Sequence, residues 1–369
     1  MKVISISTDR NIFNASSPVS QRMKDYGSVF GELHIIIFSL KKHGYKKMQV
    51  ASNVWAYPTN SRWKIFYPLR ALFVAIRICG RTPAKDIVVS TQDPFDTGVV
   101  GVLIKFIKKA RLNVQVHTDM YSQFFAKESF LNKIRVFVAS GVFKRADSVR
   151  VVSKKIRESL VDRAVAKEKI SILPIYVDKE NYDGFQDVAR KDRVLLAVSR
   201  LTPEKNLFFL IDVIDDVVKE KPDTQLLIVG DGPLKEDLLS YVREKKLDQH
   251  IKFVGWKQNV GKYYRQAGLF VHTSKYEGYG MVFVEAALQH VPIVSSDVGI
   301  MGDVLIQGKS AQICQLGDKE CFVRCIIEIL EDSQKAQQMS DAAYKSVIKH
   351  ISGSKEQYLT EYKEIVCGY

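Results

Sequence analysis

Ser274-Lys275-Tyr276-Glu277-Gly278-Tyr279-Gly280-Met281-Val282-Phe283-Val284-Glu285-Ala286-Ala287 is the stretch whose reading decides the fold. Leu269-Phe270-Val271-His272 before it reads as a buried strand, and Pro292-Ile293-Val294-Ser295 after it as a second. The pattern is strand, glycine loop, helix, strand. Gly278 and Gly280 let the backbone turn tightly and approach a ligand closely. A helix starting near Met281 turns its unpaired N–H groups and positive dipole end toward that loop, a seat for phosphate. Glu277 then lies in the loop and Glu285 about one turn inside the helix, and carboxylates, as pure acceptors, suit sugar or ribose hydroxyls. Taken alone, two such glutamates also describe a capped surface helix. The flanking strands and the motifs below favour the site.

The chain has 369 residues, enough for two domains of ordinary size, and its 46% hydrophobic and 26% charged composition describes a globular protein with ample core. Its opening, Met1-Lys2-Val3-Ile4-Ser5-Ile6-Ser7-Thr8, reads as a first strand and not as a signal peptide. No uninterrupted apolar stretch reaches the ~18 residues of a membrane span, and a cytoplasmic location, free or peripheral on the inner face of the cytoplasmic membrane, is expected. Cys79, Cys314, Cys321, Cys325 and Cys367 lack paired metal spacing and are expected as free thiols. The net charge of +14 is uneven: residues 1–187 hold 31 Lys and Arg against 16 Asp and Glu, and residues 188–369 hold 24 against 25. A basic half joined to a neutral one implies that only the first faces a polyanion or an anionic membrane.

Along the chain, strands are expected at 3–7, 48–51, 86–90, 113–117, 148–152 and 170–173, with helices at 28–43, 97–109 and 129–144 between them. The second half repeats the alternation, with strands at 194–199, 225–229, 251–254, 269–272 and 292–295. Such alternation argues for parallel sheets covered by helices on both faces. The break falls at Leu173-Pro174-Ile175-Tyr176-Val177-Asp178, and a polar segment runs from there to Lys191. Ligands of such sheets sit beyond the carboxyl ends of strands. Several ends are polar: Thr8-Asp9-Arg10, Thr91-Gln92-Asp93, His117-Thr118-Asp119 and His272. His34, His43, His250, His290 and His350 fall on expected helices or their edges and receive no role.

The second half opens with Val198-Ser199-Arg200-Leu201-Thr202-Pro203-Glu204-Lys205-Asn206, two fixed cations between a strand and a helix, an arrangement suited to a pyrophosphate. Val229-Gly230-Asp231-Gly232-Pro233 has the first two glycines of a dinucleotide fingerprint but Lys235 in place of the third. It fails as a nicotinamide signature and stands as a tight strand-to-helix turn. Gly308-Lys309-Ser310 lacks the upstream glycine of a phosphate loop, since residue 303 is Asp303. No D-x-D, metal-ligand cluster or G-x-S-x-G elbow occurs in the sequence.

In this order, Arg200-x4-Lys205, Gly230-x-Gly232-Pro233, Val254-Gly255-Trp256 and Glu277-Gly278-Tyr279-Gly280 with Glu285 resemble glycosyltransferase family 4, strongly over roughly 193–300 and in layout elsewhere. The resemblance implies an α/β fold of the GT-B type, two Rossmann-like doubly wound parallel-sheet domains facing a central cleft. It implies an acceptor-side domain at 1–175, completed by a crossing helix within 354–369, and a nucleotide-sugar-binding domain at 176–353. It further implies transfer of a sugar from a UDP- or GDP-type donor with retention of configuration, with no cofactor and no metal. Carried over by motif, Arg200 and Lys205 hold the diphosphate and stabilise the charge on the leaving group. Glu285 binds the ribose, Glu277 lies near the transferred sugar, and His117 touches that sugar from the first domain. Gly230, Gly232, Gly278, Tyr279, Gly280, Met281 and Val282 complete the donor side. The chain departs from the family at Asp9-Arg10-Asn11-Ile12-Phe13-Asn14-Ala15-Ser16-Ser17-Pro18, where many relatives have a Gly-Gly loop. Asp9, Ser20, Arg22, Asp93 and Asp119 are the acceptor-side candidates here.

The segment from Arg62 to Arg77 mixes aromatics with cations. A helix begun by Pro68 sets Leu69, Leu72, Phe73 and Ile76 on one face and Arg70 and Arg77 on another. Lys105, Phe106, Lys108, Lys109 and Arg111 form a second basic cluster. Such helices lie either on a core or in a membrane interface, where a glycan or polyprenyl-linked acceptor would be met. Nucleic-acid binding needs a module that this sequence lacks. The alternatives to a transferase are a GT-B-fold nucleotide-sugar epimerase and a non-catalytic sugar-nucleotide-binding protein.

Overall fold

The computed structural model describes residues 1–182, 189–351 and 353–368. The chain divides into two compact units, Met1–Ile175 with Gly353–Tyr369, and Tyr176–Ser352. Part of the polar segment expected after the break, 183–188, lies outside the described residues.

The first unit holds strands β1 (Lys2–Ser7), β2 (Glu32–Ile37), β3 (Met48–Ala51), β4 (Val54–Pro58), β5 (Ile87–Thr91), β6 (Arg111–Val116), β7 (Ser148–Val151) and β8 (Ile170–Ile172). They form one sheet in the order β3-β4-β2-β1-β5-β6-β7-β8, parallel except for β3, which runs antiparallel to β4 at the edge. Its helices are α1 (Pro18–Ser28), α2 (Tyr67–Cys79), α3 (Asp96–Lys108), the short α4 (Phe125–Glu128), α5 (Phe130–Arg145) and α6 (Lys154–Val161). Ser17 caps α1 by accepting from the Ser20 amide, and Pro18 occupies the first turn, where a missing N–H costs nothing.

The helix expected at 28–43 is not there. Glu32–Ile37 is the strand β2, with every residue from Leu33 to Ile37 buried. Its three consecutive isoleucines, Ile35 to Ile37, fit a central parallel strand, and such an apolar run hides the period that would tell strand from helix. His34 therefore sits in β2, where Tyr57 and Glu32 bond its ring nitrogens.

The second unit builds an all-parallel sheet, β11-β10-β9-β12-β13-β14. Its strands are β9 (Lys191–Val198), β10 (Gln225–Val229), β11 (Ile251–Gly255), β12 (Ala267–His272), β13 (Ile293–Ser296) and β14 (Gln312–Cys314). Its helices are α7 (Leu207–Glu220), α8 (Lys235–Glu244), α9 (Gly261–Gln266), α10 (Met281–Leu288), α11 (Lys319–Glu331) and α12 (Ser333–His350). The core under β9, β10 and β12 is aliphatic, with Leu210, Ile214, Leu226, Leu269 and Ile326 fully buried. The cysteine expectation is corrected here. Cys314, at the end of β14, is disulfide-bonded to Cys321 in the first turn of α11, and Cys325 lies one turn further on with its Sγ 4.0 Å from that of Cys314. The disulfide sulfurs of Cys314 and Cys321 and the Cys325 thiol thus form one cluster.

A last helix, α13 (Lys355–Cys367), belongs to the first unit. Its Tyr362 and Tyr358 meet the fully buried Arg150. That guanidinium donates to the carbonyls of Leu173 (3.1 Å) and Pro174 (2.8 Å), to Gln115 Oε1 (2.9 Å) and to the Tyr358 hydroxyl (3.0 Å). Its charge lies 5.2 Å from the centre of the Tyr362 ring. A buried guanidinium is tolerable only with its fork satisfied in this way.

Candidate functional site

In the second unit, β9 has β10 on one side and β12 on the other, so the chain reverses its winding between β9 and β12. Loops leaving the carboxyl ends of two such strands part to form a crevice. Arg200 and Lys205 follow β9, and Glu277 follows β12. Lys205 ends a short 3-10 turn, with Asn206 after it in the left-handed conformation at φ 55°. The Thr273 hydroxyl donates to the carbonyls of Lys205 and Asn206, at 3.1 and 3.3 Å, and fastens that turn to the end of β12.

The result is a contact between residues 72 apart in sequence: Lys205 Nζ donates to Glu277 Oε1 at 2.5 Å. His272 Nε2 bonds the same oxygen at 3.0 Å. Both partners of the carboxylate are well buried, with 12% of the Lys205 and 4% of the His272 side chain exposed. Burial pushes the Glu277 carboxyl up, but the hydrogen bond and charge of His272 and the ammonium of Lys205 outweigh it and bring it down to about 2. Glu277 is thus ionised at any working pH. Arg200 differs: its side chain is 75% exposed and pairs with Glu204 at 2.8 Å.

Glu285 lies on α10, one turn past the Gly278–Gly280 loop, and accepts from the buried Tyr264 hydroxyl at 3.0 Å. Burial raises its carboxyl to about 7, although the Tyr264 bond pulls the other way. Gly280 has φ 84°, and a Cβ there would stand 2.4 Å from the Phe283 ring, so the loop needs glycine on both counts. Met281 and Val282 form the first turn of α10, and the Tyr279 hydroxyl is buried without a partner, as are the hydroxyls of Ser199 and Ser274 at the ends of β9 and β12. Buried polar atoms of this kind are the exception in folded chains, and these three belong to the loop and strand ends of the crevice. Gly230 and Gly232 have another use. A Cβ on either would fall within 2.5 Å of the backbone of Ser199 or Leu201. Their bareness lets the Arg200 loop zip onto the neighbouring turn through Leu201 N to Asp231 O, 2.9 Å.

In the first unit the winding reverses between β1 and β5, and a cavity of about 370 Å³ opens there, lined by Thr8, Arg22, Gln92, Asp93, His117 and Arg150 among others. His117 Nε2 lies 3.2 Å from Gln115 Oε1, an oxygen that already accepts from Arg150. The histidine must therefore donate from Nε2, which leaves Nδ1 as an acceptor. Burial, with the charges of Arg150 and Arg22, lowers this imidazole to about 3, so it is neutral. Asp93 accepts from the Phe95 amide at 2.8 Å and burial raises its carboxyl. Of the other acceptor-side candidates, Asp9 caps a 3-10 turn by accepting from the Asn11 amide. Ser20 Oγ and Asp119 Oδ1 are buried without partners, and neither residue lines the cavity.

Sequence reasoning missed Tyr264 entirely and left His272 without a partner. A tyrosine two strands' length upstream of the glutamate it serves carries no local signal. His272 could have been paired with Glu277 from its place at the end of the strand before the loop.

Residues 178–346 match the model of the family described as Glycosyl transferases group 1. HepE of Anabaena, solved with UDP and glucose, superposes with a TM-score of 0.77 at 17% identity over the whole of both chains. A sucrose-phosphate synthase from Thermosynechococcus elongatus superposes at 0.82, also at 17% identity over both whole chains. The fold is therefore GT-B. Residues 178–346, nearly all of the second unit, match the group 1 glycosyl transferases, the family 4 of the resemblance above. Among curated proteins it is 30% identical over 195 residues to a Campylobacter jejuni N-acetylgalactosamine-N,N'-diacetylbacillosaminyl-diphospho-undecaprenol 4-alpha-N-acetylgalactosaminyltransferase, across 52% of each chain. It is 26% identical to the amylovoran biosynthesis glycosyltransferase AmsD of Erwinia amylovora, across 79% of this chain and 82% of that one. The chain spans about half the length of several of its curated relatives.

Proposed function

We propose that the protein is a retaining glycosyltransferase that moves a hexose or N-acetylhexosamine from a UDP- or GDP-sugar to a glycan or polyprenyl-linked acceptor, in the synthesis of a surface polysaccharide or glycolipid. The observation that carries it is the buried Lys205–Glu277–His272 contact at the switch point of the second sheet, with Glu285 one turn into the following helix. An ionised Glu277 cannot act as a general acid. It offers Oε2 to a hydroxyl of the donor sugar while Oε1 holds Lys205 and His272 in place. Glu285 accepts from the ribose hydroxyls. Lys205 and the exposed Arg200 neutralise the diphosphate as charge develops on it, and they carry the larger part of the rate. The bond from the anomeric carbon to the phosphate oxygen breaks as the acceptor oxygen attacks from the same face. The acceptor's proton passes to the departing phosphate oxygen, and configuration is kept.

His117, with Asp93 and Arg22 around the first unit's cavity, serves the hydroxyls and charge of the sugar and acceptor. The relatives named above, one of which acts on a diphospho-undecaprenol and one in amylovoran biosynthesis, support a carrier-linked or growing-glycan acceptor, and such an acceptor places the chain peripherally on the inner face of the cytoplasmic membrane. The test is the thermal midpoint of the purified chain against UDP, GDP, ADP and their sugars, followed by product analysis with membrane extracts. Ligands that bind only the folded chain raise the midpoint. A shift with one nucleotide class and a sugar-bearing product support the reading. Turnover of the nucleotide sugar to its epimer with no acceptor present would replace it.

A further inference from the structure

On α2 the row that packs inward is Tyr67, Ala71, Ala75 and Cys79, small apart from the tyrosine. The larger side chains face out: Leu69 and Phe73 are exposed, and so are Trp63, Ile65 and Phe66 in the turn before the helix. The core alternative for this helix is therefore filled by its alanines, and its bulky face is left over. Neighbouring helices repeat the pattern. Leu103, Phe106 and Ile107 are exposed on the last two turns of α3. On α5, Phe130, Ile134 and Phe137 form an outward stripe at helical spacing, while Asn132, Ala139, Val142 and Phe143 fill the inner face. A helix apolar on both faces belongs between two layers, and here only one layer is protein.

The three helices are contiguous. α2 packs on α3 and α3 on α5. Lys108 of α3 donates to the carbonyl of Gly80 at the end of α2, and Arg145 of α5 stands 6.0 Å over the Phe106 ring. Among the described residues, 12 of the 17 exposed large hydrophobic side chains lie on these helices and the turn before α2. Scattered exposed apolar residues need no explanation, but a concentration of this size marks a contact surface. The charge identifies the partner. Residues 62–81, 103–111 and 129–145 together contain 13 Lys and Arg and not one Asp or Glu. Lys105 reaches out of the patch to Asp147 and Arg111 to the Cys367 carbonyl of α13, while Lys133, Lys144 and Arg145 are exposed on α5 with its apolar stripe.

We propose that the α2–α3–α5 face is the membrane-docking surface of this protein: its aromatic and aliphatic side chains enter the interface of a bilayer while the flanking lysines and arginines meet anionic lipid headgroups. This rests on the membrane location in the reading above and adds the face that makes the contact. Asp96 and Glu128 are exposed acids at the edge of these helices, against the 13 Lys and Arg counted within them. A rim with this excess of cations complements an anionic sheet and repels another copy of itself.

The experiment is co-sedimentation of the full chain with vesicles of phosphatidylcholine alone and of phosphatidylcholine with phosphatidylglycerol, at low and high salt. Binding is expected only with phosphatidylglycerol and is weakened by salt. Phe130→Ser and Phe137→Ser should each lower the partition coefficient about tenfold, and Lys133→Gln with Lys144→Gln should flatten the salt dependence. These side chains are exposed, so the thermal midpoint and its shift with nucleotide should match the parent chain. Absence of binding to phosphatidylglycerol vesicles, or wild-type binding by Phe137→Ser, overturns the proposal. So does a dimer in sedimentation that Phe137→Ser dissociates without any vesicle binding, which assigns the face to a second copy. Vesicle binding with no midpoint shift from any nucleotide would instead refute the transferase reading and leave the docking surface standing.

Discussion

Glu285→Gln is predicted to make the second unit more stable and the enzyme worse. In the folded chain burial raises the Glu285 carboxyl to about 7 from an ordinary 4.5. The folded state thus holds this proton more tightly than the unfolded one, and stability falls as pH rises from about 4.5 to about 7, remaining low above that. At ~1.4 kcal/mol per pH unit the buried charge costs about 3 kcal/mol at pH 8. Glutamine keeps the shape and an oxygen for the Tyr264 hydroxyl, now 3.0 Å from Oε2, and removes the charge. The variant should therefore unfold several degrees higher than the parent at pH 8, and the two should converge near pH 4.5. Nucleotide affinity should move the other way. A neutral acceptor holds the ribose hydroxyls less strongly than a carboxylate, so a loss of about tenfold is expected. Thermal unfolding between pH 4.5 and 8.5, with and without nucleotide, measures both. A variant that is less stable at pH 8, or that binds nucleotide as tightly as the parent, would refute the argument.

Glu277→Gln removes the anion that Lys205 and His272 share. Since the folded-state value is about 2, the carboxylate contributes stability above pH 4.5 that is lost as pH falls toward 2. The variant should melt lower at pH 7 and approach the parent in acid, with kcat reduced more than nucleotide affinity; equal kcat would remove Glu277 from the chemistry. Gly280→Ala forces a Cβ into the Phe283 ring at φ 84° and should cost roughly 1–3 kcal/mol and most of the nucleotide-induced midpoint shift, an expectation that fails if the shift survives. Arg150→Met removes the donor of four hydrogen bonds; Gln115 keeps His117 and Tyr358 keeps Tyr26, but the Leu173 and Pro174 carbonyls lose this donor, and the change should cost about 2–4 kcal/mol. Limited proteolysis should then cut near α13 much faster than in the parent; an unchanged cleavage pattern would show that the helix is held by its tyrosines alone.

How far the chain could be read in advance depended on how local each feature is. The strand–loop–helix–strand unit around Glu277 was legible because its signals lie within thirty residues: two apolar runs, two glycines and the start of a helix. The crossing helix within 354–369 came from the resemblance, and α13 begins there with Ser354 and Gln357 as its capping pair. Residues 28–43 were misread because the apolar run Ile35-Ile36-Ile37-Phe38 carries no period, and only the neighbours of β2 in the sheet make it a strand.

The sequence by itself determined the alternation of strands and helices, the doubly wound class and the residue types of the site. Strand and helix periodicity and the chemistry of Arg200, Lys205, Glu277 and Glu285 reside in short segments. Tertiary structure alone decided what meets what. Lys205 touches Glu277 because β9 and β12 are adjacent in a sheet, not because of anything in the 72 residues between them. Cys314 meets Cys321 and Cys325 because β14 runs into α11 at close quarters. Whether Phe130, Ile134 and Phe137 lie in a core or on a surface could not be written in their own helix. An apolar stripe is defined by its own sequence, but its burial is defined by whether another element comes to cover it.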